Sequence, residues 1–139
     1  MRGLNMINSI DHVVLTSNNI EKSIFFYCNI LEMVLKKQKD GNDTKFRYSL
    51  HFGKQKINLH EKKNIFSPHA KIALPGTLDI CFISKKNLSY WQGKLIDNEI
   101  KIIEGPIERQ GAQKKLLSIY CRDPDKNLIE ISNIVNQND

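Results

Sequence analysis

His12, His60, Asp79 and Glu130 are the residues of this chain whose types and positions could do chemistry together. Each stands in a run where apolar and polar residues alternate. In an extended strand, side chains two apart share a face. His12 therefore opposes Val13 and Leu15, and His60 opposes Ile57 and Leu59. Asp79 opposes Leu78 and Ile80, and Glu130 opposes Ile129 and Ile131. The step in sequence from His12 to Asp79 nearly equals that from His60 to Glu130, so the four read as two pairs of a repeat. Two imidazoles with one or two carboxylates suit a divalent zinc, nickel, cobalt, manganese or iron, and not an all-oxygen calcium cage. None of the three cysteines falls among them, which argues against a closed structural zinc site. Taken singly, His12 reads equally as a satisfied strand histidine, His60 as an exposed strand end, and Glu130 as an exposed strand carboxylate. Asp79 reads equally as an acceptor of backbone hydrogen bonds near its strand's start.

The elements that must position these residues are legible from periodicity. Residues 10–16 alternate as a strand. A helix follows, with Asn18 and Glu21 in a capping-box arrangement and an apolar stripe of Ile20, Ile24, Tyr27, Cys28 and Leu31. Residues 34–38 read as a short strand and 39–43 as a turn rich in structure breakers. Residues 46–52 place Phe46, Tyr48, Leu50 and Phe52 on one face and Arg47, Ser49 and His51 on the other. The chain turns at Gly53 and runs back through His60. Residues 61–76, with Pro68, Pro75 and Gly76, form a connector that carries His69.

The order then recurs. Residues 77–83 form a strand, and 86–98 a helix with Leu88, Trp91 and Leu95 on its apolar face. Residues 100–103 form a short strand broken by Gly105 and Pro106. Two long strands follow, joined by the Asp123-Pro124-Asp125 turn, where proline presets the backbone and Asn127 tolerates the return. The expectation is one α+β domain over residues 1–139. Two βαβββ modules, residues 8–61 and 77–134, form a cupped mixed sheet with helices on the outer face.

The bulk properties narrow the function classes. The chain has 139 residues, 40% hydrophobic and 26% charged, as in an ordinary globular domain. No apolar run is long enough for a membrane span, and no secretion signal opens the chain. Met6 could serve as an alternative start, leaving Met1 to Asn5 as a tail. Cys28, Cys81 and Cys121 form no CxxC pair, so reduced thiols and a cytoplasmic location are expected. The formal charge is +6, but the lysines are scattered and no nucleic-acid-binding motif accompanies them. An anionic small molecule uses such a field more economically.

Asp11-His12-Val13-Val14-Leu15 resembles the opening motif of the vicinal oxygen chelate superfamily, which unites glyoxalase, bleomycin-resistance and extradiol dioxygenase proteins. Gly105-Pro106, Arg109, Gly111-Ala112 and Ser118 to Glu130 resemble its closing motif. The resemblance covers about residues 8–134. It implies paired βαβββ modules around one divalent metal, with His12 and Glu130 as ligands. His60 falls where glyoxalases carry a glutamate and can still ligate the metal, and Asp79 falls where relatives carry a histidine. Asp79 is thus a ligand or a partner to one. The implied activity is a metal-dependent lyase or isomerase of the glyoxalase type. Its substrate would be small and oxygenated, anionic or thiol-conjugated, passing through an enediolate-like intermediate with Glu130 as base. Arg47, His51 and Arg122 are candidate substrate contacts, with Lys114 another attractor of anions. The alternatives are a metal-free, drug-sequestering binding protein like the bleomycin-resistance members, and an extradiol-type dioxygenase. A homodimer is implied, with no nucleic-acid or membrane partner.

Overall fold

Strand parity decides the architecture. In the computed structural model, which describes residues 6–39, 41 and 45–136, eight strands form two mixed four-stranded sheets. The first contains β1 (His12–Ser17), β2 (Val34–Lys39), β3 (Phe46–Phe52) and β4 (Gln55–Glu61) in the order β1-β4-β3-β2. The second contains β5 (Asp79–Ile83), β6 (Glu104–Gln110), β7 (Lys115–Arg122) and β8 (Leu128–Ile134) in the order β5-β8-β7-β6. The β1–β4 and β5–β8 pairs are parallel and the others antiparallel. The two sheets thus repeat one topology, as the βαβββ reading expects.

The aliphatic face of each sheet is buried under helices. Leu15, Leu50, Ile57 and Leu59 from the first sheet join Ile119, Cys121, Ile129 and Ile131 from the second in one core. Leu88, Trp91 and Leu95 enter that core from α2 (Leu88–Asp97). The first helix, α1 (Ile20–Ile24), continues as a π-helical turn over Phe25–Ile30. The wider turn rotates the buried face. Phe26 and Ile30 are therefore buried alongside the expected Tyr27 and Leu31, while Ile20, Ile24 and Cys28 are only partly covered.

Several local expectations are corrected. The helix cap is Asn19, whose side chain accepts from the Lys22 N–H at 3.1 Å. Asn18 instead donates twice, from its backbone and its side chain, to Asp125 Oδ1. Residues 100–103 are not a strand. β6 begins at Glu104 and runs across Gly105 and Pro106 with a register shift between Glu104 and Ile107. The left-handed residue of the last turn is Lys126, at φ 70°, not Asn127. Asn127 is buried and hydrogen-bonded. Met1 to Asn5 and most of the turn expected at residues 39–43 lie outside the described residues.

Asp123 joins the two modules. Its Oδ1 accepts the backbone N–H groups of Asp125 and Asn127, both at 2.9 Å. Its Oδ2 accepts the Asn127 side-chain amide at 2.8 Å and the Tyr27 hydroxyl at 2.5 Å. Both Asp123 and Tyr27 are buried. Burial, then the Asp123 charge, pushes the Tyr27 phenol well above its ordinary range, so it stays a donor.

Two variants test this account. Tyr27→Phe leaves a buried carboxylate one donor short and should lower unfolding free energy by about 1.5–3 kcal/mol in urea titration. Gly105→Ala should lower the thermal midpoint measurably. Gly105 sits at φ +102°, and an added Cβ would meet the Ser118 carbonyl oxygen at 2.2 Å.

Candidate functional site

Register fixes which polar residues can meet. On β5 and β8, Asp79 pairs with Leu128 and Cys81 with Glu130. Tyr120 lies opposite Glu130 on its other side, and Arg122 opposite Leu128. Their side chains emerge on the cupped face, away from the helices. Asp79, Glu104, Arg109, Tyr120, Arg122, Leu128 and Glu130 line one cavity there, of about 410 Å³. Three of the expected residues, Asp79, Arg122 and Glu130, are thus brought together.

Glu104, Arg109, Tyr120, Arg122 and Glu130 are each held by a hydrogen bond. Arg109 Nε donates to the Tyr120 hydroxyl oxygen at 2.9 Å, and its Nη2 donates to Glu104 at 3.3 Å. That leaves the phenolic proton of Tyr120 for Glu130 or a ligand. Burial and the neighbouring Glu130 charge raise the Tyr120 phenol above its ordinary value, against the pull of Arg109. Glu130 Oε2 accepts from the Ser118 hydroxyl at 2.7 Å and lies 3.3 Å from the Ser132 hydroxyl oxygen. Arg122 donates to the Lys126 carbonyl at 3.3 Å.

The histidines sit elsewhere. His12 pairs with Lys56 and His60 with Thr16, four residues farther along β4. At the ordinary rise per residue this separates them by about 13 Å. The same pairing sets the true repeat. His12 matches Asp79, Lys56 matches Leu128, and the mate of Glu130 is therefore Asn58, not His60. Alternation alone allowed either residue, since both lie on the same face. His12 is exposed and bonded to Asp11 at 2.8 Å. It lines a different cavity, of about 150 Å³, with Lys56, Phe52 and Cys81.

His60 packs edge-on against Phe66 at 5.5 Å between ring centroids, and the Arg47 guanidinium lies 3.9 Å from the centre of the same ring. Its Nδ1 is buried without a hydrogen-bond partner. His51 Nε2 contacts the Ser49 hydroxyl at 2.9 Å. Neither Arg47 nor His51 lines the Glu130 cavity.

Among the described residues, no three of His, Cys, Asp and Glu gather closely enough to hold a metal ion. Asp79, Glu104 and Glu130 line one cavity but do not converge as the three protein ligands that a catalytic metal ordinarily takes, and Glu104 is tied to Arg109. One chain by itself therefore does not fit the expected metal. Ser118, Ser132, Tyr120 and Arg109 were missed as site residues. A signal was available for three of them, since Ser132 lies two residues from Glu130 on its strand, and Ser118 and Tyr120 share the parity of the cross-strand neighbours. Arg109 enters the sequence reading only through the closing motif.

The profile of the glyoxalase/bleomycin resistance protein/dioxygenase superfamily matches residues 9–131. The chain belongs to this superfamily. It is 42% identical over 126 residues to the glyoxalase domain-containing protein RDO1 of Mycosarcoma maydis, covering 91% of this chain and 68% of that protein. It is 42% identical over 130 residues to virulence protein STM3117 of Salmonella typhimurium, covering 94% and 87%. The crystal structure of STM3117 superposes with a TM-score of 0.85, covering 93% of this chain and 98% of that one. A metallothiol transferase FosB of Staphylococcus saprophyticus is 34% identical over 91% of this chain and 77% of its own length. Among the described residues, no helix is long and apolar enough to cross a membrane.

His60 gives the fold a pH test. Burial first, then the charges of Arg47 and His69, lower its pKa in the folded state. The unfolded chain then binds the proton more readily, so stability rises with pH across the window between the folded value and about 6.5. Acidification below about pH 6.5 should lower the urea midpoint, and His60→Asn should flatten part of that slope.

Proposed function

We propose that this chain binds a small molecule in the cavity lined by Asp79, Arg109, Tyr120, Arg122 and Glu130. A second copy of the chain would close over it. The observation that carries this reading is the arrangement of the cavity wall. An Arg109–Tyr120 donor pair and a serine-held Glu130 acceptor stand beside the apolar Leu128 and Ile103. Small-molecule sites combine an apolar lining with a few placed polar groups of this kind. The reading corresponds to the metal-free, drug-sequestering alternative, and its support is that no three metal ligands gather among the described residues of one chain.

The second copy is supported by charge. On the cupped face of the first sheet the register places His12, Lys36, Arg47, His51, Lys56 and His60, with no carboxylate among the strand positions. On that of the second sheet it places Asp79, Glu104 and Glu130 with two arginines. Opposite fields favour docking of the first face on the second face of a partner. Such docking would bring His12 toward Asp79 and Glu130. That juxtaposition favours a second reading, a metal-dependent lyase, isomerase or transferase in the manner of the metallothiol transferase relatives. An extradiol-type dioxygenase would require the same completion.

One set of measurements separates these readings. Calorimetric titration against a panel of aromatic and polar small molecules should find ligands whose affinity falls about tenfold or more in Arg109→Ala, the loss of one charged hydrogen bond. Elemental analysis of protein purified without chelator should find substoichiometric metal. Stoichiometric metal that is lost in both His12→Ala and Glu130→Gln, with turnover of methylglyoxal hemithioacetal, would replace the binding reading with the lyase. Sedimentation equilibrium should give a dimer.

A further inference from the structure

We infer that Cys81, Ser132 and Ser118 form a one-way hydrogen-bond chain that positions Glu130 by holding its Oε2. This rests on the reading above, in which Glu130 is the acceptor on the cavity wall. The contacts run Cys81 Sγ to Ser132 Oγ at 3.2 Å, Ser132 Oγ to Ser118 Oγ at 2.6 Å, and Ser118 Oγ to Glu130 Oε2 at 2.7 Å. Ser132 Oγ also reaches Glu130 Oε2 at 3.3 Å. Both serines are fully buried.

The direction follows from counting protons. Each hydroxyl has one to give. A carboxylate has none, so Ser118 donates to Glu130. Ser118 then has no proton left for the contact with Ser132, and Ser132 must supply it. Nothing remains on Ser132 for the sulfur, so within the Cys81–Ser132 contact the thiol is the donor; Glu130, across the strand pair, is the other acceptor within its reach. If the two serines exchange roles, both protons are still spent between the hydroxyls and the carboxylate. One oxygen of Glu130 is thus committed to buried serines, and Oε1 is the oxygen that the serines leave open. Ser118 and Ser132 act on a ligand only through Glu130, so they are positioning residues.

The test uses the ligand-free full chain. The infrared S–H stretch of Cys81, isolated by difference against Cys81→Ala, should lie below that of a free thiol, because a donating S–H bond is weakened. In Ser132→Ala it should move up to the free-thiol position. Ser118→Ala should let the Glu130 side chain populate several rotamers, lowering the NMR order parameter of its methylenes, and Ser118→Thr should restore it. A wild-type band at the free-thiol position, or one that Ser132→Ala leaves unmoved, would overturn the chain. An unchanged Glu130 order parameter in Ser118→Ala would overturn the positioning role. Should Ser118→Ala not fold, the wild-type and Ser132→Ala bands still decide. Ligand binding that survives in Glu130→Gln would instead sink the binding reading, and the spectra would be untouched by it.

Discussion

The carboxylate of Asp123 is the constraint on which the rest of this molecule depends. It takes hydrogen bonds from the backbone of its own turn, from Asn127, and from Tyr27 on the π-helical turn of the other module. A buried charge is tolerable only when such donors surround it. One residue thereby sets the turn between β7 and β8, the register of Glu130 beyond it, and the docking of the first module's helix. Asp125 adds a second tie, accepting both donors of Asn18 at the end of β1.

With the modules fixed by that turn, strand parity distributes the chemistry. The aliphatic positions of both sheets converge on one core under the helices. The polar positions are left on the opposite faces, one carrying cations and the other carrying Asp79, Glu104 and Glu130 beside Arg109 and Arg122. The cavity at Glu130 follows from this alternation. So does its incompleteness, since the histidines of the first sheet belong to the other face. A superfamily that pairs βαβββ modules has room for metal-free binding and metal-dependent chemistry on the same strands. In the proposed dimer, the choice would turn on which side chains the partner's face brings opposite Asp79 and Glu130.

Much of this was legible in the sequence. The alternation in residues 46–52 and 128–132 named the right faces. The repeat of strand, helix and three strands named the fold, and Asp79, Arg122 and Glu130 do share a cavity. Other features were not legible, for specific reasons. His60 and Asn58 have the same parity, so only the pairing of β1 with β4 shows that Asn58 is the mate of Glu130. The π-helical turn moves Phe26 and Ile30 into the core against an ordinary helical stripe. Asn18 and Asn19 are chemically equal as caps, and the pull of Asp125 on Asn18 leaves Asn19 to cap.

The sequence by itself determined periodicity, and hence which side chains face a core and which face away. That is local information, carried by the two-residue repeat of a strand. The tertiary structure alone decided register across strands and the partners of each buried polar group. Those depend on residues distant in sequence, as Ser118 does on Glu130 and Tyr27 on Asp123. Glu130 was therefore readable as a polar residue on the right face. That one of its oxygens is held by a pair of buried, hydrogen-bonded serines, beside an arginine and a tyrosine and in a cavity His60 does not line, required the fold.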